Sequence, residues 1–354
     1  MKISFIGYYG ANFGDVLMLD TLLEYFKNHY AKIVIFTYGD ADFLKIAISH
    51  HIQSFDIEIV DLNAHGIKEF KDRLRGSVSL SWGGGTCFMD QNGTGGIKYM
   101  SIARLMGIQV NYLGIGIDSY SKFKTKACLF LANMISSNIF ARDGKSHEVS
   151  KKFDLFNRGS NKLIHDIAFK HQNSDKAQAG IENKYLVYSC RDLSGYAQFD
   201  SNQTNQSLVW LTIKTCRELG VSKVVNLVCD YEVDLETSKL AENLFLENDI
   251  IVETVLGHEI ETAVAKISGA VYVVTARLHP AVLAHTLSVP YSIFNYSDKN
   301  LKFTREVGET QRIVLPAELS THRPDFNVPT SEGLAGKAEV IECAFKQLLP
   351  VRTL

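Results

Sequence analysis

Proline is scarce in this chain, six in 354 residues, which excludes proline-rich linkers and polyproline ligands. An excess of basic charge is also missing. Lys and Arg total 37 against 39 Asp and Glu, for a formal net charge of −2. That balance gives no basic stripe, so no nucleic-acid partner is expected. The six cysteines (Cys87, Cys128, Cys190, Cys216, Cys229 and Cys343) form no CxxC pair, and most sit in apolar runs. They read as reduced, buried thiols and exclude a disulfide framework or a cysteine zinc site. The histidines do not supply a site either. His50-His51 and His165 lack partners at ligand spacing, and His285 follows His279 by an interval that puts it off the same helical face. No metal is expected. The longest apolar stretch, 127–141, is broken by Asn133, Ser136, Ser137 and Asn138, and is too short to cross a bilayer. Peripheral membrane contact is left open. Residues 1–7 run straight into a strand pattern, so no leader is expected and the location reads as cytoplasmic, with the inner membrane face open to it.

What is present is a long alternation. Hydrophobic residues make up 46% and charged residues 21%, a soluble composition at a length that suits two domains. Strand patterns fall at 3–6, 33–37, 57–61, 78–82, 110–114 and 139–141. Helical periodicity separates them, as at 16–30, where Leu19, Leu22, Leu23, Phe26 and Tyr30 make one buried face. The rhythm fades over 160–182, with a polar, aperiodic stretch at 173–180 that reads as a linker. It restarts with strands at 185–190, 224–228, 250–254, 271–275 and 291–295, and ends in a helix at about 332–349. Strands alternating with helices imply βαβ units and parallel sheets. The fold class is therefore α/β, with two Rossmann-like domains facing across a cleft. The expected domains are 1–170 and 181–330, and the terminal helix at 331–354 is free to pack back on the first.

Ligands of such sheets gather at the carboxyl ends of strands. There the chain reads Val273-Val274-Thr275-Ala276-Arg277-Leu278-His279-Pro280. Arg277 offers a planar cation for carboxylate or phosphate, and His279 a group that exchanges protons near neutral pH. Arg191, in Ser189-Cys190-Arg191-Asp192, holds the corresponding place in an earlier strand, so the two arginines suit a clamp on one small anion. Lys299 adds a cation after the strand at 291–295. Gly7-Tyr8-Tyr9-Gly10-Ala11-Asn12-Phe13-Gly14-Asp15 joins the first strand to the first helix but does not have the GxGxxG spacing of a dinucleotide site. Asp15 reads either as the helix N-cap or as a carboxylate for sugar hydroxyls. Gly83-Gly84-Gly85-Thr86, with Asp90 beyond, suits an anion nest of bare amides or a tight turn, and the glycines at 93–96 suit a mobile rim. Arg142-Asp143 stands between a strand and a helix, with Asp143 a candidate N-cap.

Together these segments resemble the polysaccharide pyruvyl transferase family. The resemblance is carried, in order, by Gly7/Gly10/Asn12/Gly14-Asp15, Gly83-Gly84-Gly85-Thr86 with Phe88 and Asp90, Ala141-Arg142-Asp143 with Ser146, Asp166, Arg191, Thr275-Ala276-Arg277-Leu278-His279, Val289-Pro290, and Tyr296 through Lys299. Pro280 directly after the histidine departs from it, and 194–207 matches nothing in it.

The resemblance implies a fold similar to GT-B glycosyltransferases and transfer of an enolpyruvyl unit from phosphoenolpyruvate onto two hydroxyls of a glycan sugar. The product is a pyruvate ketal of a surface polysaccharide or exopolysaccharide. Phosphoenolpyruvate is then a co-substrate and no cofactor is needed. The acceptor is a sugar whose lipid linkage stays open. On this reading His279 is the general acid, and Asp15 orients or deprotonates the acceptor hydroxyl. Arg277, Arg191, Arg142 and Lys299 bind the donor. Asn12, Gly84, Gly85, Thr86 and Asp90 bind the acceptor. The rivals are a nucleotide-sugar glycosyltransferase on the same fold and a non-catalytic glycan-binding protein.

Overall fold

The computed structural model describes residues 1–91, 93–155, 161–171, 184–330 and 333–349. The expected linker at 173–180 lies outside the described residues, as does Asn92 of the glycine-rich rim. The chain divides into two compact units. Unit 1 comprises Met1–Gly10, Asp15–Lys170 and Ala335–Leu354, and unit 2 comprises Ala11–Gly14 and His171–Leu334.

The sheet of unit 1 is built on β1 (Lys2–Gly7), β2 (Lys32–Thr37), β3 (Ile57–Asp61), β4 (Ser77–Gly83), β5 (Thr86–Met89), β6 (Gly93–Thr94), β7 (Gln109–Ile117), β8 (Asn138–Ala141) and β9 (Asn161–Leu163). Its order is β3-β2-β1-β4-β7, with β8 and β9 continuing beyond β7. All these pairs are parallel, and the central strands are buried, as parallel sheets covered on both faces require. The rim at 93–96 is more ordered than its glycines suggest: β5 and β6 form a small antiparallel hairpin that pairs Phe88 with Thr94. Likewise β9 lies where the rhythm fades, because a three-residue edge strand is too short to show a period.

The first helix, α1 (Phe13–Phe26), departs from the expected single face. Val16, Leu17, Met18, Leu19, Leu22, Leu23 and Phe26 are all buried, as are Asp20 and Thr21, so the helix is covered on most sides and Glu24 is its exposed residue. Tyr30 falls beyond its end. The terminal helix α2 (Leu334–Lys346) sets Phe345 5.0 Å from the Tyr25 ring and 5.5 Å from Phe26. The Tyr30 hydroxyl donates to the Leu348 carbonyl at 2.6 Å. Five cysteines are buried and free, but Cys343 on this helix is exposed, against the expectation for the set.

Unit 2 carries β10 (Leu186–Ser189), β11 (Lys223–Val228), β12 (Ile251–Leu256), β13 (Tyr272–Thr275), β14 (Tyr291–Phe294) and β15 (Ile313–Val314). The order β12-β11-β10-β13-β14-β15 is parallel throughout. In chain order this is a 3-2-1-4-5-6 sheet, the Rossmann arrangement, and its direction reverses between β10 and β13. Segment 11–14 belongs here by its bonds: the Phe13 amide donates to the Cys229 carbonyl at 2.7 Å, and Asn12 bridges to Asp230.

Among the described residues no helix is long and apolar enough to cross a membrane. The stretch 127–141 resolves into the end of one helix and β8.

Candidate active site

The topological switch point of unit 2 is the carboxyl edge of β10 and β13, and both clamp arginines stand on it. Arg191 follows β10 and Arg277 follows β13, with β14 next in the sheet leading into Tyr296. A crevice for ligands opens at such a point because the flanking helices run to opposite faces of the sheet.

The Arg277 backbone is pinned by Thr275, whose Oγ1 accepts from the Arg277 amide and donates to the Arg277 carbonyl, both at 2.9 Å. The side chain is less available than its sequence position suggests. It is only 7% exposed, its Nε donates to Asp234 Oδ2 at 2.7 Å, and Nη2 pairs with the same carboxylate. Asp230 stands 3.6 Å from Nη2. The expectation of an arginine presented openly to an anion is therefore corrected: much of its charge is balanced from within. Nη2 nonetheless completes no directed hydrogen bond. Burial pushes the Asp234 carboxyl above its ordinary value, against the pull of Arg277. Burial works against the guanidinium too, but Asp234 outweighs it and keeps it protonated.

Arg277 is the N-cap of a helix over Leu278–Thr286 that is buried almost all round. His279 is its second residue. Pro280, the departure noted above, is the third, where a missing N–H removes no helical bond. The His279 ring lies against Gly14: a Cβ at Gly14 would run into Nδ1, Cε1 and Cγ of the imidazole. This is the reason for glycine at that step of the opening loop. Asn12 serves locally, since its Oδ1 accepts from the Gly14 amide at 2.9 Å and so caps α1. The N-cap role considered for Asp15 thus falls to Asn12, and Asp15 lies in the first turn of the helix. As the cap, Asn12 has its side-chain oxygen committed, which removes that atom from acceptor binding.

Arg191 is placed between two aromatic rings. Its guanidinium lies 4.9 Å from the centre of the Tyr296 ring and 5.4 Å from that of Tyr196, and Nη2 donates to the Tyr196 hydroxyl at 3.2 Å. Lys299 is exposed on the helix Asp298–Glu306, with Nζ 5.3 Å from the Tyr296 ring centre. Unit 2 therefore brings together Arg191, Arg277, His279, Lys299 and the Asn12–Gly14 loop.

The remaining candidates lie in unit 1. Gly84 and Gly85 have φ of 84° and 77°, a left-handed turn that favours glycine. A Cβ on Gly84 would meet Met18, and one on Gly85 would meet Asp15 Oδ1. The expected bare nest is only partly bare, because the Gly84 amide donates to the Leu113 carbonyl at 2.8 Å. Arg142 Nη2 donates to Thr86 Oγ1 at 2.9 Å, and Nη1 lies 3.4 Å from Asp166 Oδ2. Arg142 is thus committed to a cluster in unit 1 with Thr86 and Asp166. Asp143 caps the helix Gly144–Lys152 through the Ser146 amide. The Asp90 carboxylate is engaged within the fold: it accepts from the amides of Ser121 and Lys122 and the hydroxyls of Ser121 and Thr125, where the helix Phe123–Ile135 begins. The Ser121 hydroxyl foremost, with these other donors, holds Asp90 well below the usual carboxylate range. A shallow cavity of ≈ 350 Å³ beside it is bordered by Asp118, Ser119, Tyr120, Ser121 and Lys126.

Two features escaped the sequence reading. Asp230 and Asp234 follow β11 at helical i, i+4 spacing, and applying the strand-end rule to acids as well as bases would have marked them. His50 and His51 both point Nε2 at Asp20 Oδ1, at 3.1 and 2.9 Å. These three ligand-type atoms lie close enough together to surround a metal ion, which spacing along the chain did not reveal.

Residues 12–298 match the model of the family described as polysaccharide pyruvyl transferase. A search of curated proteins finds no match. Among solved structures, the chain is similar to the UDP-GlcNAc 2-epimerase of Methanocaldococcus jannaschii, at 13% identity and TM-score 0.59 over 98% of this chain and 100% of that one. It is also similar to the UDP-GlcNAc 2-epimerase of Neisseria meningitidis bound to UDP-GlcNAc, at 10% identity and TM-score 0.60 over 98% and 100%. At that identity the likeness speaks for the fold alone, a GT-B-like pair of Rossmann domains.

Proposed function

The chain belongs to the polysaccharide pyruvyl transferase family, and from that premise we propose that it moves an enolpyruvyl unit from phosphoenolpyruvate onto two hydroxyls of a glycan sugar. The observation that carries the donor assignment is the gathering of Arg191, Arg277 and Lys299 with His279 at one switch point of unit 2. Phosphoenolpyruvate needs a compact cationic hole for a carboxylate and a phosphate, and no slot for a nucleobase.

The chemistry assigns the roles. C3 of the donor takes a proton while one sugar hydroxyl attacks C2. The second hydroxyl then attacks C2 and the C2–O bond to phosphate breaks. Of the two hydroxyl protons, one replaces that given to C3 and the other leaves with phosphate. His279 is our general acid, a role worth about 10²–10⁴ in rate. Arg191 and Arg277 hold the donor anions. Arg277 acts through the edge left over from Asp234, and Lys299 supplements them. Asp15 orients or deprotonates the acceptor hydroxyl, with the backbone of Gly84 and Gly85 on the same side. Thr86 and Arg142 support that loop, and the sugar acceptor, lipid-linked or free, is met at the cytoplasmic face. No cofactor is required.

Thermal unfolding with phosphoenolpyruvate, set against a panel of UDP- and GDP-sugars, tests the donor. Stabilisation by phosphoenolpyruvate alone is expected. Stabilisation by a nucleotide sugar instead would favour glycosyl transfer, and by neither, a non-catalytic glycan binder.

A further inference from the structure

The carboxyl edge of the second sheet holds more polar atoms than its own hydrogen bonds satisfy. Among the described residues, Arg191 Nε and Ser297 Oγ are buried and complete no hydrogen bond, and the buried Tyr296 Oη, approached by the Lys299 ammonium, has no acceptor for its own proton. Tyr296 is 2% exposed, between the Arg191 guanidinium at 4.9 Å from its ring centre and Lys299 Nζ at 5.3 Å. The Tyr196 ring meets it edge-on at 5.3 Å. Buried polar groups are nearly always paired, because leaving one unpaired loses its hydration without return. Here the groups without an acceptor are a guanidinium N–H and two hydroxyls, all able to donate, among cations. What satisfies such a set is an oxyanion.

We propose that the Tyr296 hydroxyl donates a hydrogen bond to an anionic oxygen of the bound small acid, beside the Nε of Arg191. This rests on the donor reading above and deepens it by naming a further donor-binding residue. The electrostatics agree. Burial would push the phenol up, but the charges of Lys299 and Arg191, a hydrogen bond from Lys299 and the charge of Arg277 together outweigh it and hold it below the ordinary tyrosine value. A phenol so placed is a stronger hydrogen-bond donor.

Tyr296→Phe removes only the hydroxyl. Wild type and variant are titrated calorimetrically with phosphoenolpyruvate and, separately, with inorganic phosphate, and both are unfolded thermally without ligand. The variant should be close to wild type in stability, because the hydroxyl proton has no acceptor in the fold and the Lys299 that faces the hydroxyl is exposed. Its oxyanion affinity should fall by about tenfold or more, as for a hydrogen bond to a charged group. If wild type binds phosphate but not phosphoenolpyruvate, and Tyr296→Phe loses phosphate, the pyruvyl-donor reading falls and the oxyanion contact stands. Equal binding by the two proteins, or no binding of either probe by wild type, overturns the contact. A lowered unfolding midpoint for Tyr296→Phe also overturns it, since the hydroxyl would then be serving the fold.

Discussion

At the end of β13, two side chains a single residue apart do different work. Arg277 is held from behind by Asp234, itself fully buried. Asp234→Asn would strand a buried guanidinium without its counter-charge. We expect a loss of about 3–5 kcal/mol in unfolding free energy, together with weakened donor binding; denaturant titration and donor KM measure the two. His279 stands against Gly14, so Gly14→Ala should push the imidazole from its place. A fall in kcat with a near-normal unfolding midpoint is the expected result, and unchanged kcat would separate His279 from the chemistry. The placement of 277 and 279 at a strand end was legible, because an apolar run ending in Arg and His is unusual enough to notice. The carboxylates that neutralise Arg277 were not, since they come from another strand end more than forty residues away, as the Arg277–Asp234 separation of 43 shows.

Among the elements, the longer strands and the first helix were legible and the shortest strands were not. Most strands of four to nine residues showed as apolar runs, whereas the four-residue β5 and the shorter β6, β9 and β15 showed nothing. Periodicity in α1 marked a helix but understated its burial, because Val16, Leu17 and Met18 lie buried outside the expected stripe. Asp90, an acceptor-binding candidate by the family resemblance, makes four hydrogen bonds at the start of a helix that its place near the glycines did not announce. Asp90→Ala should therefore lower the unfolding midpoint while leaving acceptor KM unchanged. The terminal helix α2 is tied to unit 1 by Lys170 and Glu342 at 2.8 Å. The hydrogen bond from Lys170 leads the effects that hold the Glu342 carboxyl down, at about 2. A depressed carboxylate stabilises the folded state above its unfolded pKa and loses that contribution as pH falls through the folded one. The contribution of this exposed pair should thus be full above pH about 5, fade toward about 2, and stay below about 1 kcal/mol. Glu342→Gln, unfolded at pH 7 and at pH 3, measures it.

At the scale of the molecule, each unit is built on a largely parallel sheet, and alternation alone was enough to foresee two α/β domains, though not their strand order. What alternation does not report is which unit a short segment joins. Residues 11–14 are grouped with unit 2 and the terminal helix with unit 1, through contacts between positions far apart in the chain. Deleting residues 334–354 would uncover the partners of Ile341, Phe345 and Leu348, each buried side chain being worth about 1.5–3 kcal/mol. Loss of cooperative unfolding in unit 1 is the expected outcome, read by hydrogen exchange in β1 and β2. The central claim, however, concerns the reaction, and acceptor-dependent release of phosphate from phosphoenolpyruvate tests it most directly. With lipid-linked or model galactosides, mannosides and N-acetylhexosamines, wild type should release phosphate in step with ketal formed on one of them, and His279→Ala should do so about 10²–10⁴-fold more slowly. Near-normal release by His279→Ala with that same acceptor would contradict the account.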